Sequence, residues 1–120
     1  MRDHTLQIIG GRTEEELVSW GNSYADPEHQ IKDLKDKSLS NSMFFLDICK
    51  GIEPRSINWD IVVRDATEDA DKESNAKYVI SVARKLEALV FLVWEDIVEV
   101  KKTVLTLLAS LYDVAQKYQR

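Results

Sequence analysis

The chain has 120 residues, 44% hydrophobic and 31% charged, with a formal net charge of −5; that is enough for one domain with a core, and it excludes disordered or fibrous material. Its acidity argues against a general nucleic-acid binder, which needs a basic face for phosphates, and the longest uninterrupted apolar run, Ala88 to Trp94, falls far short of the roughly 20 residues that cross a bilayer. The start, MRDHTLQIIGG, lacks the basic-then-apolar pattern of a signal peptide and a lone Cys49 cannot pair internally, so a cytoplasmic setting is expected and Cys49 reads as a small core residue.

Residues 1–11 hold Leu6, Ile8 and Ile9 ahead of Gly10-Gly11 without usable periodicity; they read as a tail or a strap, with a single domain over 12–118. The first helix starts at Thr13, because Thr13 with Glu16 forms a capping box and three acids sit on the first turn. Leu17, Val18, Trp20 and Tyr24 form its inward stripe. Gly21, Asn22 and Asp26-Pro27 are expected to end it. Residues 25–38 alternate acids and lysines around Ile31 and Leu34, which reads as a loop with one helical turn pinned by those two side chains. A second helix opens at Ser40 or Asn41 and is expected to stop at Gly51 as a left-handed C-cap, burying Phe45, Ile48, Cys49 and Ile52. Pro54 blocks continuation, and 56–62 reads as a short helical turn laying Ile57, Trp59 and Ile61 on the core.

The polar run at 65–75 reads as a solvated connection. It fails as a calcium loop, since counting from Asp69 puts Ser74 where the turn needs glycine and Ile80 where a bidentate glutamate is needed. The chain is organised around 74–92. There Lys77, Ser81, Arg84 and Lys85 make one wet stripe, while Ala76, Tyr78, Val79, Ile80, Val82, Ala83, Leu86 and Leu89 fill the remaining sides. This predicts a central helix over 75–89, capped by Ser74 or Asn75 and packed on nearly every side. Residues 93–100 supply one turn that anchors Trp94, Ile97 and Val98. The last helix, 103–118, turns Val104, Leu108, Leu111, Ala115 and Tyr118 to one face and Thr106, Ser110, Asp113 and Lys117 to the other; two heptads are too few for a coiled coil, so the apolar face closes the domain's own core.

No chemistry-bearing cluster emerges. His4 and His29 have no cysteine, histidine or carboxylate at a metal-ligand spacing, Gly10-Gly11 lacks the strand and GK[ST] of a phosphate loop, and Glu95-Asp96 reads as an exposed turn. The residues therefore point to a non-catalytic helical module without cofactor or metal, working through its surface.

Three blocks add a resemblance: IEPRSINWD at 52–60, NAKYVISVARK at 75–85 and EDIVEV at 95–100. In this order they resemble the calponin-homology domain, and within it the fourth, C-terminal such domain of the fimbrin/plastin actin-bundling proteins, over about Glu15 to Tyr112. The resemblance implies an all-α fold of four principal helices, with short connecting helices around a central buried helix. It further implies a module that binds and bundles actin filaments as the second member of a tandem pair, with filamentous actin and the adjacent calponin-homology domain as partners in the actin cytoskeleton. The alternative within the same fold is a regulatory or adaptor domain that meets a neighbouring domain or a non-actin protein. By the resemblance, the polar side of the first helix, Glu15, Ser19 and Asn22, is the candidate actin surface; Lys32, Lys35 and Lys37 are a second, because actin is acidic. The chain departs from the family at Val93-Trp94, where members often read Leu-Pro, and at Lys101-Lys102-Thr103, where many carry Asn-Pro-Lys.

Overall fold

The computed structural model describes residues 8–9 and 12–118 and is helical apart from one short ribbon, in which β1 (Ile8–Ile9) pairs antiparallel with β2 (Arg12–Thr13). The tail or strap expected over 1–11 lies otherwise outside the described residues.

Helix α1 (Glu14–Tyr24) starts as its capping box requires: Thr13 Oγ1 accepts the Glu16 N–H at 3.1 Å, and Glu16 accepts the Thr13 N–H at 2.9 Å. That second bond, more than any nearby charge, holds the Glu16 carboxyl below the usual glutamate range. Gly21 and Asn22 do not end the helix. Gly21 lies inside it because a Cβ there would stand 2.5 Å from Phe44 Cζ and 3.1 Å from Ile48 Cδ1.

Helix α2 (Met43–Ile52) begins later than expected, since Lys37–Asn41 forms a 3-10 helix capped by Asp36 and Ser42 joins the two at a left-handed φ of 69°. Residues Met43 to Cys49 are buried without interruption, so the segment with no wet stripe is found here. Gly51 is a packing glycine and not the C-cap: the Tyr24 ring occupies the place of its missing Cβ, and the helix closes one residue on, where the Glu53 N–H reaches the Cys49 carbonyl. Each of these helices thus offers a glycine to an aromatic ring of the other. Short 3-10 helices at Pro54–Ser56 and Trp59–Ile61 follow. Ile57 is buried as expected, but Ile61 is 53% exposed and Val62 takes its place in the core.

Helix α3 (Asp69–Lys85) begins inside the polar run read as a loop, because Asp69 and Asp71 sit on its first turn and suit the positive end of the dipole. Its wet stripe is the expected one: Lys77, Ser81, Arg84 and Lys85 are exposed, while Ala76, Val79, Ile80, Val82 and Ala83 are buried. Asn75 is not a cap; it is fully buried, donates to the carbonyls of Asn41 and Val63, and accepts the Val63 N–H at 3.0 Å. The helix ends four residues early in a Schellman closure, with Glu87 at φ 70° and the Ala88 N–H on the Ala83 carbonyl. Leu89 is consequently outside the helix and 68% exposed.

Helix α4 (Trp94–Val98) is opened by Asp96, which accepts the Val93 N–H at 3.2 Å, and it drops Ile97 fully into the core. It closes by the same device as α3, with Val100 at φ 52° and the Lys101 N–H on the Asp96 carbonyl. Helix α5 (Val104–Tyr118) needs no proline to start, because the N–H groups of Val104, Leu105 and Thr106 bond to the carbonyls three residues back. Val104, Leu108, Leu111 and Ala115 are buried; Tyr118, at the helix end, is half-exposed. Helix α2 packs against α1, α3 and α5, and α4 lies on α3. Trp20 meets Tyr24 and Tyr112 edge-to-face at 5.3 and 5.1 Å, which seals the seam between α1 and α5. Four principal helices with short helices between them are the architecture the sequence implied.

Candidate functional site

The exposed side of α1 faces the loop that follows it. Glu15, Ser19 and Asn22 share an open concavity of about 360 Å³ with Lys32 and Asp33. Glu15, Ser19 and Lys32 are exposed there, and among the described residues no hydrogen bond or ion pair holds their polar ends, the Lys32 charge only acting on Asp36 nearby. Asn22 differs. Its amide donates to the Ile31 carbonyl at 2.8 Å and accepts the Ile31 N–H at 2.9 Å, so it anchors the loop and has little left to offer a partner.

Residues 30–41 are held by two kinds of contact. Ile31, Leu34 and Leu39 are buried; Asp36 accepts the N–H groups of Ser38 and Lys32, and Asp33 accepts that of Lys35. The Ser38 amide is the chief reason the Asp36 carboxyl lies below the usual range. Lys35 and Lys37 do not join Lys32: they border a separate concavity with Ser40, Lys72 and Glu99. The six candidates therefore divide between two surfaces.

His29 needs a correction. Asp26 does stand three residues before it, its Oδ2 4.0 Å from Nδ1, Glu28 Oε1 lies 3.8 Å from Nε2, and the fold adds Asp47, whose Oδ2 lies 2.7 Å from Nδ1. Asp47, almost wholly buried, also accepts the Asp26 N–H at 3.0 Å. Among the described residues this is the one grouping of three metal-ligating side chains, within 4.8 Å of one another. Its hydrogen bonds already give it a task, tying the 3-10 helix Pro27–His29 to α2. Burial pushes the Cys49 thiol up to about 12, which keeps it an inert core group.

Sequence reasoning missed Asn75 and the Asp47–His29 pair. Asn75 had a signal: it lies four and seven residues before Val79 and Val82, on the dry face of α3. Asp47 had none, because its partners are 18 and 21 residues away.

The chain is similar along most of its length to proteins of known kind. It is 43% identical over 124 residues to fimbrin-3 of Arabidopsis thaliana, covering 92% of this chain and 17% of the relative. It is 42% identical over 121 residues to plastin-3 of Danio rerio and 37% identical to plastin-1 of Homo sapiens, in both cases over 92% of this chain and 19% of the relative. The chain thus spans less than a fifth of these relatives. Among solved structures it matches the actin-crosslinking core of Schizosaccharomyces pombe fimbrin with a TM-score of 0.76 and 35% identity, over 82% of this chain and 22% of that one. The model of the calponin homology (CH) domain family matches residues 11–117. With that match along nearly the whole chain, and with the four-helix frame just described, the chain belongs to the calponin homology domain family.

Proposed function

We propose that this chain is the second member of a tandem pair of calponin homology domains in a fimbrin-like cross-linker, a non-catalytic scaffold that binds and bundles actin filaments in the cytoplasm. The observation that carries this reading is similarity to fimbrins and plastins over 92% of the chain, joined to the structural match with a fimbrin actin-crosslinking core. Residues 12–118 form the domain, and of the segment before it Ile8–Ile9 pair with Arg12–Thr13. The protein works by holding a surface rigid: its core fixes α1 and the loop 30–41, and Glu15, Ser19 and Lys32 are the groups free to meet a filament, with Lys35 and Lys37 on a second face. A net charge of −5 against an acidic filament makes the isolated domain a weak binder that needs its neighbour to complete the site.

Co-sedimentation with filamentous actin tests this on the present chain and on a longer one carrying the preceding domain. The pair pellets and the single domain pellets weakly. Within the pair, at least one of Ser19→Asp and Lys32→Glu raises Kd about fivefold, the effect of a contact of roughly 1 kcal/mol. No pelleting by either chain sinks the proposal and leaves the adaptor reading in its place.

A further inference from the structure

Between α3 and α4 the chain runs extended, and its side chains alternate. Leu89, Phe91 and Val93 are 68%, 68% and 57% exposed, while Leu92 is buried and Val90 half-buried. Only two other large hydrophobic residues among those described are exposed, Ile61 and Tyr118, both less than these three, so the exposed apolar surface is concentrated in this edge. Its backbone is equally unused. Among the described residues, the N–H and carbonyl groups of Leu89, Val90, Phe91 and Leu92 make no hydrogen bond within the protein. An extended edge with free backbone groups and apolar side chains is a template for association, and soluble proteins normally blunt or cover one.

The surroundings are shaped to receive a partner. The edge stands between two open concavities, one of about 280 Å³ toward Ile80 and Arg84 on α3 and one of about 350 Å³ toward Ser110 and Lys117 on α5. On the α3 side Arg84 and Lys85 are exposed and form no ion pair among the described residues, while Glu87, Asp113 and Lys117 mix both signs on the α5 side, so the complementary surface is apolar and acidic where it faces α3. The source of that surface follows from length: the chain spans under a fifth of its relatives and 22% of the fimbrin core, so in a longer protein an edge that faces water here has other domains to meet.

We infer that Leu89–Val93 is the edge on which the adjoining calponin homology domain docks, its apolar side chains covered and its free backbone groups shielded by that neighbour. This rests on the tandem-pair reading above, and it assigns the docking surface to the α3–α4 connection, apart from the α1 face proposed for actin.

Amide hydrogen exchange on a chain carrying both domains, compared with the present chain alone, tests it directly. The amides of Leu89 to Leu92 exchange at least about tenfold more slowly in the two-domain chain. The triple variant Leu89→Ser, Phe91→Ser, Val93→Ser abolishes that protection and leaves the melting temperature of the single domain unchanged, while Ile61→Ser in the two-domain chain preserves it. Equal exchange in the two chains overturns the inference. So does protection in the single domain that grows with its concentration, because a second copy would then be the occupant. Actin pelleting of the same samples separates this from the proposed function: protected amides without pelleting sink the actin reading alone, and pelleting with unprotected amides sinks the docking edge alone.

Discussion

At Asn75 one side-chain amide closes three backbone groups that no helix or strand satisfies, the N–H and carbonyl of Val63 and the carbonyl of Asn41. Asn75→Ala leaves them in a site with no water access from the asparagine side, and a loss of about 2–3 kcal/mol in urea unfolding is expected; a change within ~0.5 kcal/mol would show that these bonds are replaceable. Gly21 makes a different demand. Alanine is favoured over glycine by ~1 kcal/mol inside a helix, but here its methyl would overlap the buried rings and chains of Phe44 and Ile48, and overpacking costs about 1–3 kcal/mol. Gly21→Ala therefore destabilises the protein, whereas the same change at an ordinary helical glycine would stabilise it. Cys49 follows from burial alone: with its thiol pushed up to about 12, it resists iodoacetamide at mildly alkaline pH until the protein is unfolded. Labelling of the native protein at the rate of a free thiol would contradict the packing of α2.

Element by element, the start of α1 gives a test with a sign. Glu16 is held below its ordinary range by the Thr13 amide, and Glu53 and Asp36 likewise by the amides of Arg55 and Ser38. A carboxyl lowered in the folded state contributes stability that is complete above the ordinary range of about 4 and is lost as pH falls through the folded value. Thr13→Ala should cost about 0.5–2 kcal/mol at neutral pH. Glu16→Gln, which removes the carboxylate that the Thr13 amide holds low, should lose less further stability than the wild type on going from about pH 6 to pH 3 in thermal melts. Equal losses would remove the reciprocal cap from the account. The same helix shows what the sequence could and could not reveal. The capping box was legible because both its partners lie within four residues, and the wet stripe of α3 because a single period wrote it. The helix ends were not. Glycine at 21 and 51 reads as a stop but serves close packing, and the real stops of α3 and α4 fall on Glu87 and Val100, residue types that give no sign of a left-handed conformation. The candidate surface was legible to the same degree: Glu15, Ser19 and Lys32 do share one concavity, but the tie of Asn22 to Ile31 and the separation of Lys35 and Lys37 arise only from tertiary packing.

For the whole molecule, the core runs from α1 through α2 to α3 and α5 without a break, and Leu86 and Leu108 lie at separate places in it, both buried. Truncating either to alanine is expected to cost about 2–5 kcal/mol; a loss below ~0.5 kcal/mol at both would mean that the helical faces are wrongly assigned. The surface outside this core is divided among elements, with α1 and its following loop polar and the α3–α4 connection apolar, so changes on one are expected to leave the other intact. The exchange of rings and glycines between α1 and α2 reaches further than either substitution. Phe44 fills the space at Gly21, and Tyr24 fills the space at Gly51, so neither helix is an independent unit of inheritance. A chimera that takes one of them from a distant relative inherits a ring without its hollow or a hollow without its ring, and grafting between such domains has to carry residues 14–52 as a single cassette.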